Sequence, residues 1–495
     1  MTPTEKCSTG IHGLDDILGG GLRRNRMYLL EGSPGAGKTT TALQLLQEGV
    51  RRGEKVLYVT LSETKGELEE VARSHGWNLE KLDIVDLSAV ESISKTENTL
   101  FHPSEVELNN LARLLLDKMH QVRPSLMVLD SLSEMRMMAQ SPLRYRRQIL
   151  SFKQQFSAAN CTVLLLDDKI SLTDDNQVQS IVHGIITLTS APMRYGVLRR
   201  YLTVTKLRGV RYREGNHDYV IQTGGLRVFP RLVASEHISK FSKQPQSSGN
   251  DELDKLLGGG FDSGTSNLLM GPAGSGKSTI ASMFAFAAAE RGDHVLYYAF
   301  DENAATLLQR TIEMGISFEP HVQSGRIRVE QIDPAEIAPG ELAHRILSSV
   351  EVDKTRVVIL DSLNGYVTAM PDEDYLTLHL HELTSYLSHK GAMTIMVMAQ
   401  HGLVASNMSA PVDVSYLADT VVLLRFFEAL GAVRKAISVI KKRSGSHETT
   451  IRELKMTEKG IVLGQPLTEF EGVLSGTPKF KGSSDKIIGI DKKST

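Results

Sequence analysis

Short apolar runs recur along this chain, separated by stretches whose apolar residues fall three and four apart. In the first half the runs are Met27–Leu30, Val56–Leu61, Leu126–Leu129, Thr162–Leu166, Gly184–Leu188 and Tyr201–Val204. Continuous rather than alternating runs mark strands covered on both faces. Between them, Ser104–Met119 carries Leu108, Leu111, Leu114 and Leu115 at helical spacing, with Ser104 and Glu107 arranged as a capping box. This alternation predicts an α/β fold with a mostly parallel central sheet and helices on both faces.

The pattern is written twice. Lys38 and Lys277 are 239 residues apart, and the same offset links Thr9–Gly21 to Ser248–Gly260, Val56–Thr64 to Val295–Asn303, and Gly53 to Gly292. It later drifts to 231 (Asp130 to Asp361) and 235 (Lys206 to Lys441), as insertions in loops allow. So long a period excludes a solenoid and predicts two homologous domains in tandem. The expected organisation is a first domain over 1–235, a polar linker over 236–246 within Ala234–Gln246, a second domain over 247–480, and a small, charged, mobile tail over 481–495.

Composition adds bounds. There is no apolar span of membrane length and no apolar core in the opening "MTPTEKCSTG", so neither a transmembrane helix nor a secretory leader is expected. Two cysteines, Cys7 and Cys161, leave no disulfide framework or zinc site and suit a cytoplasmic protein. A net charge of −2 gives no global attraction for nucleic acid.

The repeated stretches "EGSPGAGKTTTALQ" and "MGPAGSGKSTIASM" carry the chemistry. Each fits the phosphate-binding pattern G-x-x-x-x-G-K-[ST] after an apolar run and before a helical stretch, Ala42–Gly49 or Ile280–Glu290. The first loop is Gly32, Ser33, Pro34, Gly35, Ala36, Gly37, Lys38, Thr39 and Thr40; the second is Gly271, Pro272, Ala273, Gly274, Ser275, Gly276, Lys277, Ser278 and Thr279. Glycines let the backbone form a nest of N–H groups, the following helix points its positive end at the anion, and Lys38 and Lys277 reach the terminal phosphates. These loops call for a nucleotide's β- and γ-phosphates, and for Mg²⁺ on Thr39 and Ser278. Buried runs end at Asp130 in "SLMVLDSLS" and Asp361 in "RVVILDSLN", both candidates for the metal's shell. Glu63, and Asp301 with Glu302, follow the second strand of each half and are candidates to orient a nucleophile; Asp301 is a further metal candidate. Lys206 with Arg208, and Lys441 with Arg443, stand two apart past an apolar strand, where both cations point to one side. Set against a neighbouring subunit's phosphates, they would stabilise developing charge.

Taken together, these features resemble the KaiC family, the RecA-like ATPases of the bacterial circadian clock. The match runs from about Thr9 to Phe480. It includes the "GLDDILGGG" lead-in, both phosphate loops, the acids after the second strand, "LDSL", the K-x-R elements, "ADTVVLL" (Ala418–Leu424) and "EGVLSGTP" (Glu471–Pro478). The resemblance implies two tandem RecA-like domains, a homo-hexamer of two stacked rings with ATP between subunits, autokinase activity, and clock or signalling partners. The family's catalytic glutamate pair falls on Ser62–Glu63 and on Asp301–Glu302. Its contacts across the subunit boundary fall on Lys206, Leu207, Arg208 and the neighbourhood of His217, and in the second half on Lys435, Lys441, Lys442, Arg443 and His447. Its phosphoacceptor pair falls on Ser415–Tyr416, keeping serine and replacing threonine with tyrosine. The alternatives are a DNA-dependent ATPase of the RecA/RadA class, which needs basic loops facing a channel, and a scaffold that uses ATP only to assemble.

Overall fold

The computed structural model describes residues 6–88, 103–139, 141–168, 176–192, 196–368, 373–400, 414–429, 431–458, 460–474 and 479–481. The side chains of Ser104 and Glu107, the end of Glu471–Pro478 and the tail past Lys481 lie outside the described residues. Contacts divide the chain into two compact units, Met1–Arg231 and Leu232–Thr495.

In the first unit nine strands form one sheet. They are β1 (Met27–Gly32), β2 (Val56–Thr60), β3 (Asp83–Asp86), β4 (Leu126–Asp130), β5 (Thr162–Asp168), β6 (Gly184–Ala191), β7 (Arg199–Leu207), β8 (His217–Gln222) and β9 (Gly225–Phe229). Their order across the sheet is β9-β8-β7-β6-β1-β5-β4-β2-β3. Strands β6 to β3 in that order pair in parallel, and β7, β8 and β9 extend the sheet antiparallel. The helices that bear on the site are α1 (Lys38–Arg51), α2 (Lys65–Ser74) and α3 (Pro103–Val122).

Each of the six expected runs is a strand, and the expected helix is α3. Three strands carry no such run. β3, "DIVD", is an edge strand with an acid at each end and no fully buried residue. β8 and β9 are a hairpin closed at Thr223–Gly224, Gly224 taking a positive φ of 95°.

The continuous runs are explained by burial on both faces. Tyr28, Leu30, Tyr58, Val56 and Val128 pack with Leu43 and Leu46 of α1. Met27, Leu29, Leu57, Val59, Met127 and Leu129 pack with Leu111 and Leu115 of α3. Successive residues of a strand therefore serve opposite cores. That alternation sends Asp130, two past Val128, to the α1 side.

The second unit repeats the plan with β10 (Ser266–Gly271), β11 (His294–Ala299), β12 (Ile327–Gln331), β13 (Thr355–Asp361), β14 (Met393–Ala399), β15 (Thr420–Ala429), β16 (Ala432–Lys442), β17 (Arg452–Thr457) and β18 (Gly460–Pro466). The order β18-β17-β16-β15-β10-β14-β13-β11-β12 matches the first sheet strand for strand. Helices α4 (Lys277–Glu290) and α5 (Ala304–Glu313) sit where α1 and α2 do, each 239 residues on. The segment around Ala234–Gln246 packs on this unit: Leu232 and Ala234 are in its core, the Ala234 N–H donates to Glu382, and His237 meets Tyr386 edge to face.

The glycine-rich lead-ins have a steric reason. Gly21 and Gly260 adopt φ of 106° and 110°, and a Cβ there would lie 2.3 Å from the Cys7 carbonyl oxygen and 2.1 Å from that of Gln246. These turns seat the two-residue ladders Lys6–Cys7 with Leu22–Arg23 and Pro245–Gln246 with Phe261–Asp262. Gly292 also has a positive φ, 92°, but nothing lies within 4 Å of its Cβ position. Gly292→Ala should therefore cost only the left-handed penalty, about 1–2 kcal/mol, and Gly260→Ala distinctly more. Thermal unfolding that ranks them equal, or in reverse, would contradict this.

Candidate active site

Both phosphate loops leave the middle of their sheets. β1 lies between β5 and β6, and β10 between β14 and β15. Gly37 and Gly276 cap the following helices in the left-handed conformation, at φ 95° and 110°. A side chain at Gly37 would strike Ile221, and one at Gly276 would strike Met456.

In the first unit Lys38 Nζ donates to the carbonyls of Gly32 at 2.9 Å and Ser33 at 3.2 Å, and pairs with Asp168 Oδ1 at 2.8 Å. Tyr58 donates to Asp130 Oδ2 at 2.6 Å and is hydrogen-bonded by Thr39. The two candidate metal residues, Thr39 and Asp130, are thus joined through one phenol. Burial pushes the Asp130 carboxyl above its ordinary range, with Tyr58 and Lys38 opposing. Glu63 sits in a turn held by Thr60, whose hydroxyl donates to the Glu63 carbonyl and accepts from its N–H. The turn runs into α2, capped by Thr64 and Glu67 as a capping box. Glu63 Oε2 is buried with no hydrogen-bond partner. Burial raises this carboxyl, Asp130 and Glu67 raise it further, and Lys38 opposes them.

The second unit has the same frame and different charges. Tyr297 donates to Asp361 Oδ2 at 2.5 Å, and Ser278 hydrogen-bonds Asp361 directly. Lys277 Nζ donates to the Pro272 carbonyl at 2.7 Å. The strand position that holds Asp168 beside Gly32 holds Ala399 beside Gly271, so no carboxylate stands there. Glu302 is ion-paired with Arg310 at 2.9 Å, and Asp301 accepts from the Ser362 hydroxyl. Burial raises the Glu302 carboxyl, Arg310 lowers it, and Asp361 raises it.

The basic residues lie elsewhere. β7 runs antiparallel to β6, so its C-terminal end returns to where β1 begins: Leu29 pairs with Ile185, which pairs with Lys206. Arg208 continues past the start of β1, and about 16 Å of strand separates its level from Gly32. A register shift in β7 between the partners of Ile185 and Ile186 comes just before Lys206, and one in β16 between the partners of Val421 and Val422 comes just before Lys441. Lys206 donates to the Gln179 carbonyl and Arg208 to that of Ser180; Lys441 donates to the Ser415 carbonyl at 3.2 Å and Arg443 to that of Tyr416 at 2.9 Å. Lysine and arginine two apart thus grip one segment in each unit, and in the second that segment carries Ser415. Lys442 turns away and donates to the carbonyls of Leu257 and Gly260. Lys435, paired with Phe426, lies at the opposite end of β16. His217 is buried, its Nδ1 accepting from the Arg231 N–H and its Nε2 facing the Arg213 carbonyl at 3.0 Å.

The residues fit Mg-ATP: a nest of backbone, a lysine, and one hydroxyl beside one buried carboxylate per unit. Among the described residues no cluster of three or more His, Cys, Asp or Glu forms a metal cage. Among the described residues no helix is long and apolar enough to cross a membrane. Asp168, Arg310 and the tyrosines were missed from sequence. Tyr58 and Tyr297 stand 239 apart, so comparing the halves position by position would have marked them as shared and Arg310, aligned with Val71, as a difference; the place of Asp168 beside the loop comes from strand pairing.

The family model for the KaiC ATPase matches residues 7–233 and 247–468. The chain is 26% identical over 486 residues to the circadian clock oscillator protein KaiC of Acaryochloris marina, covering 96% of this chain and 91% of that one. It is 26% identical over 488 residues to the protein of the same name from Thermostichus vulcanus, covering 96% and 94%. It is 24% identical over 486 residues to the circadian clock protein KaiC3 of Synechocystis sp., covering 97% and 96%.

Burial holds the Lys277 ammonium down at about 8, Asp361 partly opposing. Phosphate favours its charged form, so nucleotide binding at the second unit should take up a proton above that pH. Affinity should be full below pH 8 and fall by up to about tenfold per unit above it. Calorimetry on a Lys38→Ala protein, in buffers of differing protonation enthalpy, would measure this; equal affinity at pH 7 and pH 9 would rule it out.

Proposed function

This chain belongs to the KaiC ATPase family, its match running through both halves, and from that premise we propose a double ring of six chains. In it each ATP is held by one chain and acted on by residues of the next, with an autokinase step in the second ring. The reading rests on one observation: in both units the lysine–arginine pair lies at the end of the sheet opposite its own phosphate loop. A cation placed there serves a phosphate only if another chain brings it.

Lys38 and Lys277 hold the terminal phosphates within the chain. Mg²⁺, held through Thr39 with Asp130 and Ser278 with Asp361, would neutralise phosphate charge. Glu63 and Glu302 orient and deprotonate the nucleophile, water in the first ring. Lys206 with Arg208, and Lys441 with Arg443, meet the charge that develops on the neighbour's γ-phosphoryl group. In the second ring the Ser415 hydroxyl is the alternative nucleophile. Its oxygen bonds the γ-phosphorus, the bridging bond to ADP breaks, and its proton passes to the neighbour's Glu302. Ser415 suits this because its own carbonyl is held by Lys441, which puts acceptor and cation in one place. In the first unit the matching position, gripped by Lys206, is Gln179, which has no hydroxyl. The protein would act in the cytoplasm as a clock-like or signalling regulator whose partners read the nucleotide and phosphorylation state.

Light scattering should find particles of about six chains in Mg-ATP and smaller species without it; a monomer at saturating nucleotide would end the ring reading. Removing Arg208 should slow first-ring hydrolysis by roughly 10- to 1000-fold while leaving nucleotide binding intact. Mixing Glu63→Gln chains with Arg208→Ala chains should restore part of the activity, and no recovery would mean that the pair acts within its own chain or not at all. For the kinase step, Ser415→Ala should abolish most phosphate incorporation and Tyr416→Phe little of it. Incorporation unchanged in Ser415→Ala protein would remove Ser415 as the acceptor.

A further inference from the structure

The two units differ at one position beside the candidate base. α2 and α5 are equivalent helices, each following the acidic turn, and the 239-residue repeat sets Val71 of α2 against Arg310 of α5. Val71 packs against the first unit's core. Arg310 Nη2 lies 2.9 Å from Glu302 Oε2, with both side chains more than two-thirds covered. The pair is electrostatic rather than an aligned hydrogen bond: the buried Arg310 Nε and Nη2 have no hydrogen-bond partner. Among the described residues Glu63, in the equivalent turn of the first unit, is ion-paired with no guanidinium; Lys38 acts on it electrostatically, and its buried Oε2 has no hydrogen-bond partner. One candidate base is tethered and the other is not.

We infer that Arg310 is a positioning residue that restrains Glu302, so that the second site turns over its nucleotide more slowly than the first and retains it longer. This rests on reading Glu302 as the group that orients and deprotonates the nucleophile. A carboxylate held by a half-buried guanidinium must leave that pair to meet a water or hydroxyl at the γ-phosphate. Around Glu302, burial disfavours the ionised carboxylate, Arg310 from α5 favours it, Asp361 at the end of β13 disfavours it, and neighbouring Asp301 is engaged by Ser362. Lys277, across the site, is close enough to Asp361 to favour that carboxylate's charge.

The test is Arg310→Val in the whole chain, which installs the first unit's residue on the same helix. Steady-state ATP turnover is measured in Mg-ATP with and without Glu302→Gln, so that the Glu302-dependent part reports the second site and the Glu302-independent part reports folding and the first site. The Glu302-dependent rate should rise about three- to tenfold, the scale of releasing one half-buried ion pair. Arg310→Lys, which keeps the cation, should restore most of the restraint and bring the rate back down. A merely structural role would show no such rise and no such rescue. An unchanged or lower Glu302-dependent rate would overturn the inference alone. Turnover indifferent to Glu302→Gln in both backgrounds would overturn the reading of Glu302 as base, and the inference with it.

Discussion

A buried carboxylate gripped by a tyrosine ties each sheet to its phosphate loop. Asp130 and Asp361 end central strands, are almost wholly enclosed, and accept from Tyr58 and Tyr297. A charge so placed stands against its desolvation only if it is satisfied. The phenol comes from the neighbouring strand and the hydroxyl of Thr39 or Ser278 from the loop's helix. That contact joins two neighbouring strands and the first turn of the helix in each unit. Losing the phenolic hydroxyl would leave a buried acceptor short of a partner, a cost of about 1–3 kcal/mol.

Around this shared frame the two sites have diverged in charge. The first gathers Glu63, Asp130 and Asp168 about Lys38, and Asp168 already occupies the lysine that a phosphate needs. The second has Ala399 in place of Asp168, an ammonium weakened by burial, and Arg310 beside its acid. A phosphate entering the first site would have to displace a carboxylate; one entering the second would meet a lysine already turned to a backbone carbonyl. The two units share strand order and differ in the charges set upon it.

Much of this was legible in the sequence. Doubly buried strands write continuous apolar runs, which located five strands in the first half; the sixth run, Tyr201–Val204, is buried at alternate positions, and the repeat carried the reading to the second. The glycine loops and strand-end aspartates have signatures tied to one geometry. What escaped depended on tertiary placement. β3 has too little buried surface to leave a run, and the β8–β9 hairpin lies in a polar stretch. Asp168 counts only because β5 pairs with β1, and Arg310 only because α5 turns it back on Glu302. That Lys435 and Lys441 sit at opposite ends of one strand follows from the length of β16, which no motif records.

The segment from Leu232 to Phe241 bears on where this protein can be cut. Leu232 and Ala234 are core residues of the second unit, the Ala234 backbone is bonded by Glu382 and His389, and Phe241 lies over Gly264 and Gly391, whose missing side chains leave it room. A first-half fragment that keeps this segment would carry apolar side chains with nothing to cover them, and would tend to aggregate. A second-half fragment begun at the next polar stretch would lose part of its own interior. The seam in the fold lies between Arg231 and Leu232, a few residues before the change in composition suggests.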